Sequence, residues 1–284
     1  MMRILITGSH SYTGNILAEH FAGIYDVSRI SLKGSSWKSE SFRGFDAVIH
    51  TAGIAHDSTK TSDKDLYYAV NSQLTFDAAM KAKSEGVKQF IFMSSSIVYG
   101  KSAPIGQEKI ITRETPVNPE SYYGASKVKA EELISQLDDE NFHVCILRCP
   151  MIYGKNCRGN YPVLSKLARK LPIFPNVKNS RSMLYVKNFC EFVRLMIKNN
   201  ERGVFWPQNS EYSHTSELVK MIAEVHGRKI LLVPFCELPL RFLANFSGLV
   251  NKAFGSLTYD MSLSVYCENY ALSSLHESIA ETEK

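Results

Sequence analysis

The sequence predicts an α/β fold, a doubly wound parallel sheet followed by a smaller C-terminal lobe. Three observations lead there: short apolar runs recur through the first half, helically spaced segments separate them, and the alternation weakens after about residue 150. The composition allows it. With 284 residues, 44% hydrophobic and 21% charged, the chain can bury one large core or two modest ones, which excludes disorder, and its 16 Gly and 10 Pro are too scattered for a fibrous repeat.

The apolar runs are Arg3 to Thr7, Val27 to Leu32, Asp46 to His50, Gln89 to Ser94 and His143 to Arg148, each short and apolar enough for a strand covered on both faces. Residues 15–23, 64–86 and 122–140 have helical spacing, and Gly23 and Gly86 are natural stops. Right-handed crossovers then force a parallel sheet whose ligands bind beyond the carboxyl ends of the strands. Those ends are Gly8 to Gly14, His50 to Gly53, Ser94 to Ser96 and Arg148 to Gly154. The expected sheet domain is 1–150 with a return segment near 182–200, interleaved with a lobe over 151–284. Within the lobe, Leu238 to Leu257 is amphipathic and reads as core or dimer surface rather than a helix lying on a membrane.

Net charge is +5, and Lys and Arg alternate with Asp and Glu. No dense basic stripe marks a nucleic-acid surface; the excess suits an anionic small molecule or an ordinary solvated surface equally. Cys145, Cys149, Cys157, Cys190, Cys236 and Cys267 make no Cys-x-x-Cys pair and have no His at metal spacing. Reduced thiols, no metal and a cytoplasmic location are therefore expected. No signal-peptide pattern and no apolar run near 18 residues is present, so neither export nor membrane contact is expected.

Three motifs carry chemistry. Thr7-Gly-Ser-His-Ser-Tyr-Thr-Gly14 joins a strand to a helix, where glycines permit a tight turn and the helix N-terminus offers N–H groups to a pyrophosphate. Ser11 stands at the middle glycine position, and a plain strand-turn-helix would read the same way. Tyr123-Gly-Ala-Ser-Lys127 places a phenol and an ammonium on one helix face. At a separation of ~5 Å and an effective dielectric of ~20 their attraction is about 3 kcal/mol, enough to lower the phenol by roughly two pKa units. Phe92-Met-Ser-Ser-Ser-Ile-Val-Tyr-Gly100 delivers three hydroxyls to a strand end, where a serine either holds a substrate oxygen or caps the strand.

In this order the motifs resemble the extended short-chain dehydrogenase/reductase family, especially its nucleotide-sugar epimerases, dehydratases and 4-keto reductases. The likeness runs over about residues 3–190 and includes Val48 to Gly53, Val70-Asn71, Gly86 to Phe92, Val98-Tyr-Gly100, Glu114-Thr-Pro, Arg148 to Gly154 and Arg181 to Val186. It implies a Rossmann sheet, NAD or NADP, a nucleotide-sugar substrate that is UDP-linked, a homodimer through helices 64–86 and 122–140, and a place in surface-polysaccharide precursor synthesis. It also implies roles. Tyr123 is the acid/base, Lys127 the residue that bonds the nicotinamide ribose and lowers the tyrosine pKa, and Ser95 the substrate-hydroxyl partner, with Ser96 beside it. Gly8, Ser11, Tyr12 and Gly14 cradle the pyrophosphate, and Ala52, Gly53 and Asn71 line the cofactor groove. Arg181 meets the substrate diphosphate, unless it is a surface salt bridge; Asn160 and Phe174 are candidates for phosphate contact and base stacking.

Two departures narrow the expectation. Family dehydratases follow this strand-end hydroxyl with an acidic pair, whereas Ser96 and Ile97 follow Ser95, so elimination lacks its acid and base. NAD-preferring members end the second strand with an acid; here Arg29, Ser31 and Lys33 stand there instead, which leans toward NADP, and residues 33–45 leave little room for the usual third strand. The expected reaction is hydride transfer at a sugar ring carbon, by a 4-epimerase or a 4-keto reductase. The alternatives are an NADP-dependent reductase of a non-sugar carbonyl and a non-catalytic dinucleotide-sensing regulator.

Overall fold

The computed structural model describes residues 1–55, 64–234, 240 and 248–284. Along the chain the elements are β1 (Arg3–Thr7), α1 (Tyr12–Phe21), β2 (Asp26–Ile30), β3 (Ala47–His50), α2 (Lys64–Tyr67), α3 (Leu74–Ser84), β4 (Gln89–Ser95), β5 (Ile110–Ile111), α4 (Tyr122–Ser135), β6 (His143–Cys149) and β7 (Met151–Tyr153). They continue with α5 (Tyr161–Ala168), β8 (Ile173–Pro175), β9 (Met183–Tyr185), α6 (Val186–Lys198), β10 (Gly203–Phe205), α7 (Thr215–Val225), β11 (Leu231–Val233), α8 (Gly248–Phe254), β12 (Thr258–Tyr259) and α9 (Leu275–Glu283). Two units result: Met1–Gly100, Pro116–Cys149 and Cys190–Trp206 form the first, and Lys101–Thr115, Pro150–Phe189 and Pro207–Lys284 the second.

The first unit is built on a six-stranded sheet in the order β10-β6-β4-β3-β1-β2, with every neighbouring pair parallel. The apolar runs explain the middle of it: Ile4, Ile6, Val48, Ile49, Phe90, Ile91 and Phe92 are all fully buried. The edge is different. β2 carries half-exposed and exposed residues throughout rather than being covered on both faces, because the chain beyond it makes a 3-10 turn (Ser36–Ser39) instead of a third strand. That turn drives Trp37 into the core cluster with Phe42 and Phe45, so the segment is packed although β2 has no outer partner strand. At the far edge, β10 adds a short strand on β6 that the sequence pattern does not announce.

Helix starts are set by serine caps. Ser11 and Ser121, both in extended conformation, accept from the amides of Gly14 and Gly124 to open α1 and α4. Between α2 and α3 the backbone widens into a π-helical segment, Tyr68–Gln73, within what the sequence reads as one helix.

The second unit holds three two-stranded parallel pairs, β8–β11, β5–β12 and β7–β9. Asn209 ties its interior together, accepting from the Tyr185 amide at 2.8 Å and donating to the Tyr153 hydroxyl at 3.0 Å. Of the amphipathic stretch 238–257, residues 238–239 and 241–247 lie outside the described residues; Gly248–Phe254 is α8. Among the described residues no helix is long and apolar enough to cross a membrane. Cys145, Cys149, Cys157 and Cys190 are buried free thiols, Cys267 is exposed and free, and Cys236 lies outside the described residues.

Candidate active site

The carboxyl ends of β1, β3 and β4 gather the predicted residues of the first unit. After β1, Gly8 turns the chain at φ +87°, and a Cβ on it would come within 2.8 Å of the Ala52 backbone nitrogen. Gly14 has no room either, since a Cβ would sit 2.7 Å from Thr51 Oγ1, so its absence lets α1 pack close to the strand end. Tyr12 opens α1, and Ser11 Oγ receives the Gly14 amide at 3.4 Å while bonding Thr13 Oγ1 at 3.0 Å. The turn thus aims a helix N-terminus outward past the sheet, the arrangement that binds a phosphate. Arg29 reaches over from β2 to donate to the Ser9 carbonyl and to Asn15 Oδ1. Ser31 accepts from the Lys33 amide at 3.3 Å, and Lys33 itself is exposed.

Ala52 and Gly53 follow β3. A Cβ at Gly53 would lie 3.0 Å from Asn71 Oδ1 and 3.6 Å from Lys127 Nζ, which brings these three together. Asn71, in the π-helical segment, is fully buried and acts as a clamp. Its Oδ1 accepts from the Ile54 amide at 2.9 Å, and its Nδ2 donates to the Ile54 carbonyl and to Ser126 Oγ, both at 3.0 Å. The amide expected to line the groove therefore positions the loop after β3 against α4.

Ser95 ends β4 beside Cys149, its register partner, and its hydroxyl accepts from the Ile97 amide at 3.3 Å, capping the turn that follows, while pulling the Tyr123 phenol down; Ser96 begins that turn and is half-buried. Lys127 is 5% exposed, donates to the Met93 carbonyl at 2.7 Å and lies 4.5 Å from the centre of the Phe92 ring. The expected lowering of the tyrosine by Lys127 is not what the structure gives. Burial pushes the Tyr123 phenol up to about 12, with Ser95 pulling the other way. Burial also pushes Lys127 down to about 8, against the attraction of Glu131. The ammonium is held by the Met93 carbonyl, the Phe92 ring face and Glu131, and desolvation is the largest influence on the phenol.

Behind this group lies a buried network that the sequence reading misses. Glu131, two helical turns beyond Tyr123, accepts from Ser94 Oγ and pairs with Arg148 Nη2 at 2.6 Å, their side chains being 7% and 14% exposed. Arg148 Nη1 and Trp206 Nε1 both donate to the Tyr99 hydroxyl at 2.7 Å. The one signal available was spacing, since Tyr123, Lys127 and Glu131 recur at four-residue steps on one helix.

The second unit places the remaining candidates. Arg181 and Asn160 line a cavity of about 280 Å³ whose other walls include Met151, Leu164, Met183, Leu218 and Phe254. Arg181 Nη1 donates to the backbone carbonyl of Lys252, so the guanidinium is anchored rather than paired on the surface with a carboxylate. Phe174 is 4% exposed and packs against the Phe254 ring, centroids 5.7 Å apart, so it is core rather than an open stacking platform.

The sequence matches the model of the NAD dependent epimerase/dehydratase family over residues 4–205. The chain belongs to that family. Among curated relatives, it is 29% identical over 226 residues to UDP-glucose 4-epimerase of Vibrio cholerae, covering 76% of this chain and 68% of the relative. It is 26% identical over 292 residues to N-acetyl-alpha-D-glucosaminyl-diphospho-ditrans,octacis-undecaprenol 4-epimerase of Escherichia coli O157:H7, covering 96% and 83%. Its fold is that of dTDP-4-dehydrorhamnose reductase from Bacillus anthracis in complex with NADP, with TM-score 0.75, 18% identity, and 99% and 98% of the two chains covered. The donor set of this chain fits a dinucleotide: an outward helix N-terminus after a glycine turn, small residues after β3, and a buried ammonium beside them.

Proposed function

We propose that the protein transfers hydride at C4 of a sugar carried on a diphosphate, as a 4-epimerase or a 4-keto-sugar reductase. The observation that carries this reading is the placing of Tyr123 and Lys127 one turn apart on α4, with Ser95 at the end of β4 acting on the phenol. Gly8 to Gly14 would hold the cofactor pyrophosphate, Ala52 and Gly53 would flank it, and Lys127 would bond its ribose. A bound nicotinamide dinucleotide supplies or accepts the hydride.

The side chains handle the proton. Tyr123, held protonated by its burial, donates to the sugar oxygen at C4 as that carbon is reduced, and Ser95 keeps the oxygen in line with the phenol. Run in reverse, the same phenolate would collect the proton of the carbinol. The raised phenol rests protonated, ready to donate, and Arg29, Ser31 and Lys33 at the end of β2 favour NADP over NAD. Elimination is disfavoured because Ser96 and Ile97 follow Ser95 where a dehydratase needs carboxyl groups.

The test is to denature freshly purified protein, identify any released dinucleotide, and titrate the native protein with NAD⁺ and NADPH. Retained NAD supports a self-recycling 4-epimerase, and an empty protein that binds NADPH more tightly supports a keto-sugar reductase. Binding of neither overturns the reading.

A further inference from the structure

The cavity in the second unit suits hydrocarbon better than a nucleoside. A nucleobase carries donors and acceptors around its rim, and each one buried without a partner is a desolvation cost that binding does not recover. Here Leu164, Leu167, Met183, Leu218 and Phe254 offer methyl, thioether and ring surfaces. Thr215, one of the few polar lining residues, already donates to the Ala253 carbonyl at 2.7 Å and accepts from Asn179 Nδ2 at 2.9 Å. Two cations, Arg181 and Lys252, share the same cavity. An apolar wall with two cations matches an amphiphile whose head is a diphosphate.

The surface of the same unit agrees. Ile173 and Leu231 are register partners across β8 and β11 and are 53% and 64% exposed, and Val163, a cavity-lining residue of α5, is 57% exposed. Arg169, Lys170, Arg228 and Lys229, all exposed, adjoin these elements in the chain. Exposed aliphatic side chains accompanied by basic ones suit an anionic lipid surface.

We infer that the second unit binds the polyprenyl diphosphate end of a lipid-linked sugar, its proximal isoprene units in this cavity and its diphosphate on Arg181 and Lys252. The inference rests on the sugar-oxidoreductase reading above and names the carrier that it leaves open, in place of the UDP expected from sequence. The cavity, about 280 Å³, lies just below the ~300–1,000 Å³ typical of ligand pockets, so it holds only the first isoprene units and leaves the rest in the lipid. The alignment with the diphospho-undecaprenol epimerase covers 96% of this chain and so runs through the second unit.

The experiment measures binding of farnesyl diphosphate, farnesol and UDP to the full chain by calorimetry, and turnover of N-acetylglucosaminyl diphosphate farnesol and UDP-N-acetylglucosamine with added NAD⁺ or NADPH. Farnesyl diphosphate is expected to bind at least tenfold more tightly than either UDP or farnesol. Arg181→Ala and Val163→Glu should each weaken it tenfold or more; Val163 is exposed, so that variant should melt like the parent. UDP binding as tightly as farnesyl diphosphate overturns the carrier, and farnesol binding as tightly overturns the diphosphate site. Turnover of the UDP-sugar with no farnesyl diphosphate binding sinks this inference and leaves the oxidoreductase reading intact. Farnesyl diphosphate binding without binding of either dinucleotide does the reverse.

Discussion

The two ends of the first unit's site are built in opposite ways. At the turn end, contiguous residues from Gly8 to Gly14 make the structure, and the long side chain that crosses it, Arg29, is exposed. At the tyrosine end, bonds join residues far apart in sequence: Lys127 to Met93, Glu131 to Ser94, and Trp206 to Tyr99. These groups are buried, where each lost partner leaves a desolvated polar atom. Outside Gly8 and Gly14, the turn end can therefore be altered with effects confined to binding, whereas changes at the tyrosine end should reach the fold unless they spare its buried bonds.

Tyr123→Phe tests that exception and should have the largest effect. It removes one hydroxyl and leaves the ring, so kcat should fall about 10³-fold while dinucleotide binding persists and the protein still folds. Turnover at the parental rate would remove Tyr123 from the chemistry. Glu131→Gln, by contrast, leaves Arg148 buried without its counter-charge. A loss of about 3–5 kcal/mol in urea unfolding is expected, with Glu131→Gln/Arg148→Met recovering part of it. A loss below about 1 kcal/mol would mean that the pair behaves like a surface bridge, and the contrast between the two ends would weaken.

His50 sharpens the comparison through pH. It is fully buried at the end of β3, with Nδ1 2.9 Å from Thr7 Oγ1 and Nε2 3.0 Å from Thr75 Oγ1. Burial, and then the charge of Lys127, push its pKa from 6.5 down to about 3. The unfolded chain thus binds more protons across that window. Its contribution is whole above pH 6.5 and is lost progressively toward pH 3, by roughly 2 kcal/mol on reaching about pH 5. Unfolding free energies between about pH 7 and pH 5 should show this slope, and His50→Gln should flatten it. An unchanged slope in the variant would place the titrating group elsewhere.

What the sequence discloses follows the same division. The strands β1, β3, β4 and β6 are legible because each is a local apolar run, and the glycine turn is legible because its conformation is set by adjacent residues. The exposure of β2 was not, since it depends on how residues 33–45 fold: room for a third strand was visibly short, but the 3-10 turn that seats Trp37 was not visible. Asn71 lies near the strand ends, and its clamping role depends on Ile54 and on Ser126, 55 residues away. The pKa of Tyr123 was misjudged for a physical reason. A helix face predicts which charges are near but not how much water is gone, and here desolvation outweighs the ammonium.

The smallest expected effect belongs to the turn end, at Ser11. Its side chain accepts from Gly14 as the cap of α1, and replacing such a cap by glycine costs only a few tenths of a kcal/mol. Ser11→Gly should therefore leave stability almost untouched while acting on phosphate binding in one of two directions. If the Cβ merely obstructs close approach of the backbone, removing it and releasing the Gly14 amide should tighten dinucleotide binding, by less than tenfold, or about 1.4 kcal/mol. If the hydroxyl itself bonds the pyrophosphate, binding should weaken instead. Titration of the variant with NAD⁺ and NADPH separates the two, and the first outcome is expected because Ser11 Oγ is already engaged by Gly14 and Thr13. A variant that loses a kcal/mol or more of stability would show that the turn, like the tyrosine end, is bound into the core.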